Sequence, residues 1–214
     1  MAKRRGPIVV VAGTNGAGKS SIAGEFAAQH ALAYFNPDAF AFALRGAGTP
    51  PADASAIAWQ AGYERLRAAI DEGAGFGFET TLGGESIIAE LHRALKLRRE
   101  VHVLYVGLSS VDLHVARVRA RVERGGHDIP VAKIRERYSR SLANLVSLIG
   151  KASSVHVFDN SAETRDGMPS AQLVFRMRGK KIVEPSVSEL LETCPDWAKP
   201  IAAAGIRVAR GGRR

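Results

Sequence analysis

The sequence predicts an α/β protein whose mainly parallel sheet is covered by helices on both faces. Short apolar runs typical of buried strands alternate along the chain with longer segments of helical periodicity. The first apolar run, residues 6–13, leads into a glycine-rich loop and then into a segment of helical composition, residues 21–32. Because parallel strands joined by helices are buried on both sides, these observations predict a three-layer sandwich.

The later elements continue the alternation. We predict a hairpin at the sheet edge around Arg178 and Gly179, followed by a helical end broken by prolines. We expect a single domain over residues 1–214, with its core at about residues 7–165 and the hairpin and final helix at about residues 170–206. Further strands are predicted at residues 33–35, 76–79, 101–107 and 155–158, and helices at residues 53–72, 85–99, 110–124 and 131–149.

The positive charge of the chain is concentrated at its ends and in one internal segment. The formal net charge is +9, and seven positive charges lie in residues 3–5 and 207–214, which we expect to be loose tails. Residues 117–140 hold eight basic side chains against three acidic ones. No aromatic-studded basic surface or reading helix accompanies this charge, so nucleic acid is not the expected partner.

Two further features bear on the location of the protein. The single cysteine, Cys194, excludes an internal disulfide and agrees with a reducing cytoplasm. The apolar runs are shorter than the roughly 20 residues needed to cross a bilayer. We therefore expect a cytoplasmic protein without a membrane partner.

The strongest signal in the sequence is a phosphate-binding loop. It matches the pattern G-x-x-x-x-G-K-[ST], with a predicted strand before it and a predicted helix after it. Loop glycines let backbone N–H groups point at phosphate oxygens, the lysine bridges the terminal phosphates, and the serine hydroxyl binds Mg²⁺. We predict ATP and Mg²⁺ as cofactors, with Ser20 as the metal ligand. The predicted nucleotide-binding residues are Gly13, Thr14, Asn15, Gly16, Ala17, Gly18, Lys19, Ser20 and Ser21.

Acidic residues at the carboxyl ends of predicted strands are candidates for chemistry, because ligands of parallel sheets bind there. Asp38 follows a short strand and precedes an apolar helix, so it is either a base that accepts a substrate proton or a helix cap. Glu79 ends the next strand and is followed by Thr80 and Thr81, a group that either holds substrate or forms a plain turn. Asp159 lies in an Asp-Asn-Ser turn, which needs no function.

The basic segment at residues 117–140 has the pattern of a helical lid. Valines between residues 111 and 122 recur at helical spacing and predict a buried face. After a glycine-containing break, Arg137 lies on a second predicted helix. Arginines on closing helices stabilise the charge that develops during phosphoryl transfer, whereas the alternative is a solvated basic surface. The arginines beside the valine face are Arg117, Arg121 and Arg124.

The sequence resembles the zeta-toxin-like P-loop kinases, in a branch of small bacterial ATPases. The resemblance covers about residues 7–160 and includes the glycine loop. It implies a P-loop NTPase fold of the nucleotide-kinase type with an arginine-rich lid. The other matching segments are Phe35–Asp38, Phe78–Leu82 and a stretch from Arg121 through Leu145.

The resemblance also implies roles for individual residues. Asp38 matches a catalytic base, and Glu79 matches a carboxylate that contacts substrate. Lid arginines matching Arg121 and Arg137 contact phosphates and act with Lys19 in catalysis, and Arg124 is expected near the substrate.

Members of that family phosphorylate the 3′-hydroxyl of the sugar in UDP-N-acetylglucosamine, and a protein antitoxin holds them in check. The resemblance therefore implies a kinase with a hydroxyl-bearing small-molecule substrate and an antitoxin partner. The substrate stays open, because residues 39–42 are more apolar than a sugar-nucleotide pocket suggests and Glu136 stands where the branch often carries arginine. A different class of function also stays open, namely an ATP-dependent switch that binds RNA or a protein through its basic ends.

Overall fold

A seven-stranded sheet forms the centre of the structure. The computed structural model describes residues 5–20, 22, 23, 32–126, 128–163 and 170–211. Its strands are β1 (Ile8–Ala12), β2 (Tyr34–Phe35), β3 (Phe76–Thr80), β4 (Val101–Gly107), β5 (Ser154–Asp159), β6 (Gln172–Arg178) and β7 (Lys181–Glu184). They lie in the order β2-β3-β1-β4-β5-β6-β7. The first five strands pair in parallel, and β6 and β7 add the predicted antiparallel hairpin at the edge.

Helices connect and follow the strands, which confirms the predicted α/β fold class. They are α1 (Pro37–Gly46), α2 (Pro51–Glu72), α3 (Glu85–Lys96), α4 (Val111–Glu123), α5 (Val131–Leu148), α6 (Val187–Thr193) and α7 (Lys199–Gly211). Residues 19, 20, 22 and 23 are also helical, directly after the glycine loop, and residues 21 and 24–31 of the predicted helix lie outside the described residues. None of the helices in the described ranges has the length and apolar composition required to cross a membrane.

Buried apolar residues of the strands form the main core. Every residue of β1 is buried, as expected for a central parallel strand. The valine face predicted for the segment before residue 123 packs in a second, smaller cluster, where Val115 and Val118 meet Ile129 and Ile134. This cluster joins α4 to α5, so the two basic helices of the predicted lid form one packed unit.

The ends of the chain are more ordered than the sequence suggests, and the prediction of loose tails is wrong for the described part of each end. Arg5 donates a hydrogen bond from Nη1 to the carbonyl oxygen of Leu97, 3.0 Å away. Arg207 and Arg210 lie within α7, because Ile201 and Ile206 of this helix are buried in the main core and anchor it. Residues 1–4 and 212–214 lie outside the described residues.

A buried arginine fixes the start of β1. The side chain of Arg99 is 3% exposed. Its Nη1 donates to the carbonyl oxygens of Ala69 and Ile70 at 2.7 and 2.8 Å, and its Nη2 donates to those of Gly6 and Ala74 at 2.6 and 2.5 Å. These carbonyls lie at the end of α2 and before β1. The guanidinium group therefore ties a helix end to the strand that carries the glycine loop.

Candidate active site

The glycine loop lies at the carboxyl end of β1. Gly13, Gly16 and Gly18 have positive φ angles of 144°, 84° and 84°. A Cβ atom at Gly18 would lie 2.4 Å from Nδ2 of Asn160, and one at Gly13 would lie 2.2 Å from the carbonyl oxygen of Val106. Backbone shape and close contact both require glycine at these two positions. The loop then enters the helical residues that start at position 19, an arrangement suited to binding an anion.

Two buried side chains hold this loop through hydrogen bonds to its carbonyl oxygens. Asn160 follows β5 and donates from Nδ2 to the carbonyl oxygen of Ala17 at 2.8 Å. His114 of α4 lies with Nδ1 2.9 Å from the carbonyl oxygen of Asn15. Burial lowers the pKa of His114 to about 4, so the ring is neutral near pH 7. Since a carbonyl oxygen only accepts, Nδ1 carries the proton and donates it.

Lys19 lies beside two carboxylates. It is half-buried, and loss of hydration lowers the pKa of its ammonium group, while the charges of Glu79 and Asp38 oppose that shift. Glu79 is the penultimate residue of β3 and is 6% exposed. Its carboxylate accepts hydrogen bonds from Ser20 Oγ at 3.2 Å and from Asn36 Nδ2 at 2.7 Å. The lysine, the serine hydroxyl and a buried carboxylate therefore meet where the sequence predicts the nucleotide.

Asp38 lies in the first turn of α1 but does not cap it. The cap is Asn36, whose Oδ1 accepts from the backbone N–H of Ala39 at 3.0 Å. The Asp38 side chain is 67% exposed, and its Oδ2 lies 3.9 Å from Nη1 of Arg121 in α4. Because Asn36 supplies the cap, the carboxylate of Asp38 is available to a substrate, and an arginine of the lid lies next to it.

Arg137 of α5 reaches the glycine loop from the other helix of the lid. Its Nη1 donates to Oδ1 of Asn15 at 2.9 Å. A Cβ atom at Gly83 would lie 3.0 Å from Cγ of Arg137, so the glycine leaves room for this side chain. Asn15 is therefore held by both lid helices, through its side chain by Arg137 and through its carbonyl oxygen by His114.

Thr80 and Thr81 shape the turn after β3. Thr80 Oγ1 accepts from the backbone N–H of Leu82 at 3.0 Å, and Thr81 Oγ1 accepts from that of Gly83 at 3.4 Å. Leu82 has a positive φ angle of 54°, and Nδ2 of Asn144 donates to its carbonyl oxygen at 2.8 Å. These bonds give both threonines a structural role in the turn, so their contact with substrate stays a prediction.

The remaining predicted site residues lie apart from this cluster or outside the described residues. Arg124 follows the end of α4, where its Nε donates to the carbonyl oxygen of Ala120 at 3.1 Å. It lines a groove with Phe42 instead of facing the glycine loop. Ser21 lies outside the described residues.

Comparison with known proteins identifies a family. No protein-family model matches the chain. It is 33% identical over 141 residues to an uncharacterised protein of Haemophilus influenzae, and the alignment covers 59% of this chain and 88% of the relative. The chain belongs to the same family as this Haemophilus influenzae protein.

Two solved structures are similar in fold to this family member. The structure of AvrRxo1-ORF1:-ORF2 with ATP matches with a TM-score of 0.61 at 16% identity, over 90% of this chain and 64% of that chain. A structure of the PezAT chromosomal toxin-antitoxin system of Streptococcus pneumoniae matches with a TM-score of 0.58 at 14% identity, over 99% of this chain and 88% of that chain. The resemblance to zeta-toxin-like P-loop kinases is confirmed at the level of the fold.

Three residues at the site of this family member were not given a role from the sequence. They are Asn36, His114 and Asn160, ordinary polar residues whose positions carry no local signal. A fourth, Arg117, was predicted only as one of the lid arginines, because its spacing of four residues from Arg121 places both on one side of α4.

Arg117 presents unsatisfied hydrogen-bond donors next to the glycine loop. Its side chain is 15% exposed, and the nearest carboxylate oxygen, Oε1 of Glu163, lies 3.9 Å from Nη2. Among the described residues neither Nη1 nor Nη2 has a hydrogen-bond partner. A Cβ atom at Gly16 would lie 3.5 Å from Cβ of Arg117. A half-buried guanidinium group whose Nη1 and Nη2 lack hydrogen-bond partners at this place fits an anionic ligand.

Proposed function

We propose that the protein is an ATP- and Mg²⁺-dependent kinase that transfers the γ-phosphoryl group to a hydroxyl group of a small molecule. The observation that carries this proposal is the convergence of Lys19, Asp38 and Glu79 between the glycine loop and the lid arginines Arg121 and Arg137. A glycine loop that ends in lysine and serine is built to hold the phosphates of a nucleotide. The presence of ATP in the AvrRxo1-ORF1:-ORF2 structure supports the same nucleotide here.

The oxygen atoms beside the loop fit a magnesium ion. Ser20 Oγ and Glu79 Oε2 lie 3.2 Å apart. Hydroxyl and carboxylate oxygens are ligands that Mg²⁺ accepts together with water and phosphate oxygens. The described residues contain no group of three or more His, Cys, Asp or Glu side chains that could hold a metal ion. Ser20 would hold the ion with Glu79 as its acidic neighbour, and the bound ion would neutralise phosphate charge.

Asp38 suits the role of the base better than Glu79 does. Its side chain is 67% exposed, whereas Glu79 is buried and already accepts two hydrogen bonds. The acceptor oxygen bonds to the γ-phosphorus as the bond to the β,γ-bridging oxygen breaks, its proton passes to Asp38, and ADP leaves. Lys19 holds the terminal phosphates, while Arg121 and Arg137 stabilise charge on the transferred oxygens.

For the acceptor we propose a sugar hydroxyl of a UDP-amino sugar, and for the protein partner an antitoxin. The likeness of the fold to that of the PezAT toxin-antitoxin system supports the antitoxin partner. The resemblance of the sequence to zeta-toxin-like kinases supports the acceptor. Thr80, Thr81 and Arg124 are the proposed further contacts of this acceptor. We place the reaction in the cytoplasm, where ATP is available.

Phosphorylation of a metabolite extract tests the proposed activity. The purified protein is incubated with ATP, Mg²⁺ and either an extract or UDP-N-acetylglucosamine, and mass spectrometry then detects any species heavier by one phosphoryl group. Lys19→Ala is expected to lower the rate by at least about 10²- to 10³-fold, because it removes a cation from the transferred phosphate. Lys151→Ala, a change of an exposed lysine outside the site, is the matched control. A product that forms equally well with Lys19→Ala would contradict the assignment.

A further inference from the structure

A groove of about 340 Å³ opens beside the proposed base, between α1 and the end of α4. Its lining residues are Phe42, Arg121, Arg124, Gly125 and Gly126. A Cβ atom at Gly126 would lie 2.6 Å from Cγ of Arg121, so the glycine lets the chain turn close to this arginine. Arg121 also lies 3.9 Å from Asp38, which connects the groove to the place where the acceptor hydroxyl must bind.

Phe42 gives this groove an aromatic wall. It lies one helical turn after Asp38 and is 66% exposed, which is unusual for a large aromatic side chain. Phe40 of the same helix instead packs towards the core, with its ring centroid 5.4 Å from that of Phe35. Phe42 therefore contributes little to the core. An exposed aromatic ring beside a reacting group is suited to stack on a planar group of a ligand.

The charge around Phe42 is positive. The guanidinium carbon of Arg45 lies 5.9 Å from the centroid of the Phe42 ring. Nε of Arg124 is held by the carbonyl oxygen of Ala120, which fixes the guanidinium group at the groove. In the described part of the chain neither Arg45 nor Arg124 forms an ion pair with a carboxylate. Two cations without acidic partners favour an anionic ligand.

The arginines of α4 separate this groove from the nucleotide side of the site. Arg117 lies next to Gly16 of the glycine loop, Arg121 lies next to Asp38, and Arg124 lines the groove with Phe42. In chain order, the three arginines therefore lie beside the glycine loop, beside the proposed base and in the groove. A ligand in the groove would therefore lie beside Arg121 and Asp38, whereas Arg117 lies beside the glycine loop.

We propose that Phe42 and Arg124 determine acceptor specificity, and that the acceptor combines a planar ring, stacked on Phe42, with an anionic group bound by Arg124. This inference rests on the proposed kinase function and adds the residues that select the acceptor. Within the apolar residues 39–42, Phe42 is the residue whose side chain lines the groove.

Four probe molecules separate the two elements of this recognition. Ribose has neither element, ribose 5-phosphate has the anion, uridine has the ring, and uridine 5′-monophosphate has both. Calorimetry measures their binding to the full chain in the presence of Mg²⁺ and a non-hydrolysable ATP analogue. Uridine 5′-monophosphate should bind about tenfold more tightly than either ribose 5-phosphate or uridine, because stacking and a charge-assisted contact each contribute about that factor.

Variants assign each element to its residue. Phe42→Ala should weaken uridine 5′-monophosphate about tenfold and leave ribose 5-phosphate unchanged, whereas Arg124→Gln should weaken both phosphates and leave uridine unchanged. Leu191→Ala, which changes a side chain 63% exposed in α6, and Arg140→Gln, which changes an exposed arginine paired with Glu136, are the matched controls.

Three outcomes would overturn this inference. They are equal binding of the three ring- or phosphate-bearing probes, no binding of any probe, and a Phe42→Ala variant that weakens the ATP analogue instead of the probes. Phosphoryl transfer to an extract metabolite by the wild-type protein distinguishes the two proposals. If transfer occurs and the probe pattern fails, the acceptor assignment alone is wrong, whereas a protein that neither binds ATP nor transfers phosphate contradicts the kinase function itself.

Discussion

The proposed nucleotide side and the proposed acceptor side of the site are built in different ways. On the nucleotide side, backbone atoms and buried polar groups shape the glycine loop, and Asn160 and His114 hold it through its carbonyl oxygens. On the acceptor side, the exposed side chains of Asp38, Phe42 and Arg124 face solvent from a helix and a lid. The nucleotide side tolerates few substitutions, because changes would disturb the backbone of the loop. Single substitutions on the acceptor side can alter ligand binding without disturbing the backbone.

The largest expected effect is a loss of phosphoryl transfer through a change on the acceptor side, with ATP binding on the nucleotide side unchanged. Asp38→Asn should lower the rate of phosphoryl transfer by about 10³-fold, because general bases contribute about 10²- to 10⁴-fold. The dissociation constant of ATP should stay unchanged, since Asp38 is not part of the loop. Transfer assays and calorimetry measure the two quantities.

The control for this variant is Asp53→Asn, which changes another acidic residue in the first turn of a helix, α2. Normal transfer by Asp38→Asn would move the role of base to Glu79. A large loss of ATP affinity would mean that the two sides of the site are not separable.

The next effect concerns the rigidity of the nucleotide side. Burial holds the pKa of His114 at about 4 in the folded protein, below the ordinary value of 6.5. Between these pH values the unfolded chain binds more protons, so the contribution of His114 to stability is complete above pH 6.5 and is lost as the pH falls towards 4. The free energy of unfolding should decrease by up to about 3 kcal/mol over this range because of this residue.

Denaturant titrations at pH 7, 5.5 and 4 on the wild-type protein and on His114→Asn measure this contribution. Asparagine does not titrate and keeps an N–H donor at a position similar to that of Nδ1. The variant should therefore lose less stability on acidification than the wild type. Equal pH dependence of the two proteins would show that His114 is not the group responsible.

The smallest of these effects tests whether α4 divides the site in the proposed order. Arg117→Ala should weaken ATP binding by about tenfold, because a hydrogen bond from a charged donor contributes about 1.5–3 kcal/mol. It should leave the binding of uridine 5′-monophosphate unchanged. Arg119→Ala, a change of an exposed neighbour, is the control. Weaker binding of the acceptor probe and unchanged binding of ATP would reverse the proposed order along the helix.

Much of the fold could be predicted because its signals are local. The predicted bounds of β4, residues 101–107, agree with those observed, and α4 was predicted within one residue at each end. The prediction for α3 fails at its end, since the helix stops at Lys96 instead of residue 99. Arg98 adopts a positive φ angle of 55°, and Arg99 turns inwards to bind carbonyl groups from α2 and from the segment before β1. A contact distant in sequence therefore ended this helix.

The residues of the candidate site likewise divide into those that a local sequence pattern predicts and those that it does not. The glycine loop with Lys19 and Ser20, the carboxylates of Asp38 and Glu79, and the basic lid were all visible as patterns, because their spacing and their places at strand ends carry the information. Asn36 and Asn160 were not, since an asparagine near a turn looks the same whether or not it meets a phosphate loop. Asn160 lies 142 residues after Gly18, and only the fold brings the two together.

Local sequence patterns were enough to predict an α/β fold around a phosphate loop, because hydrophobic periodicity and glycine conformation act over a few neighbouring residues. Only the tertiary structure decided which carboxylate is buried with Ser20 and which is exposed beside an arginine. It also placed Arg117, Arg121 and Arg124 at three different positions along α4 and just after its end. Burial and charge neighbours are set by segments far apart in the chain, so local patterns do not contain them.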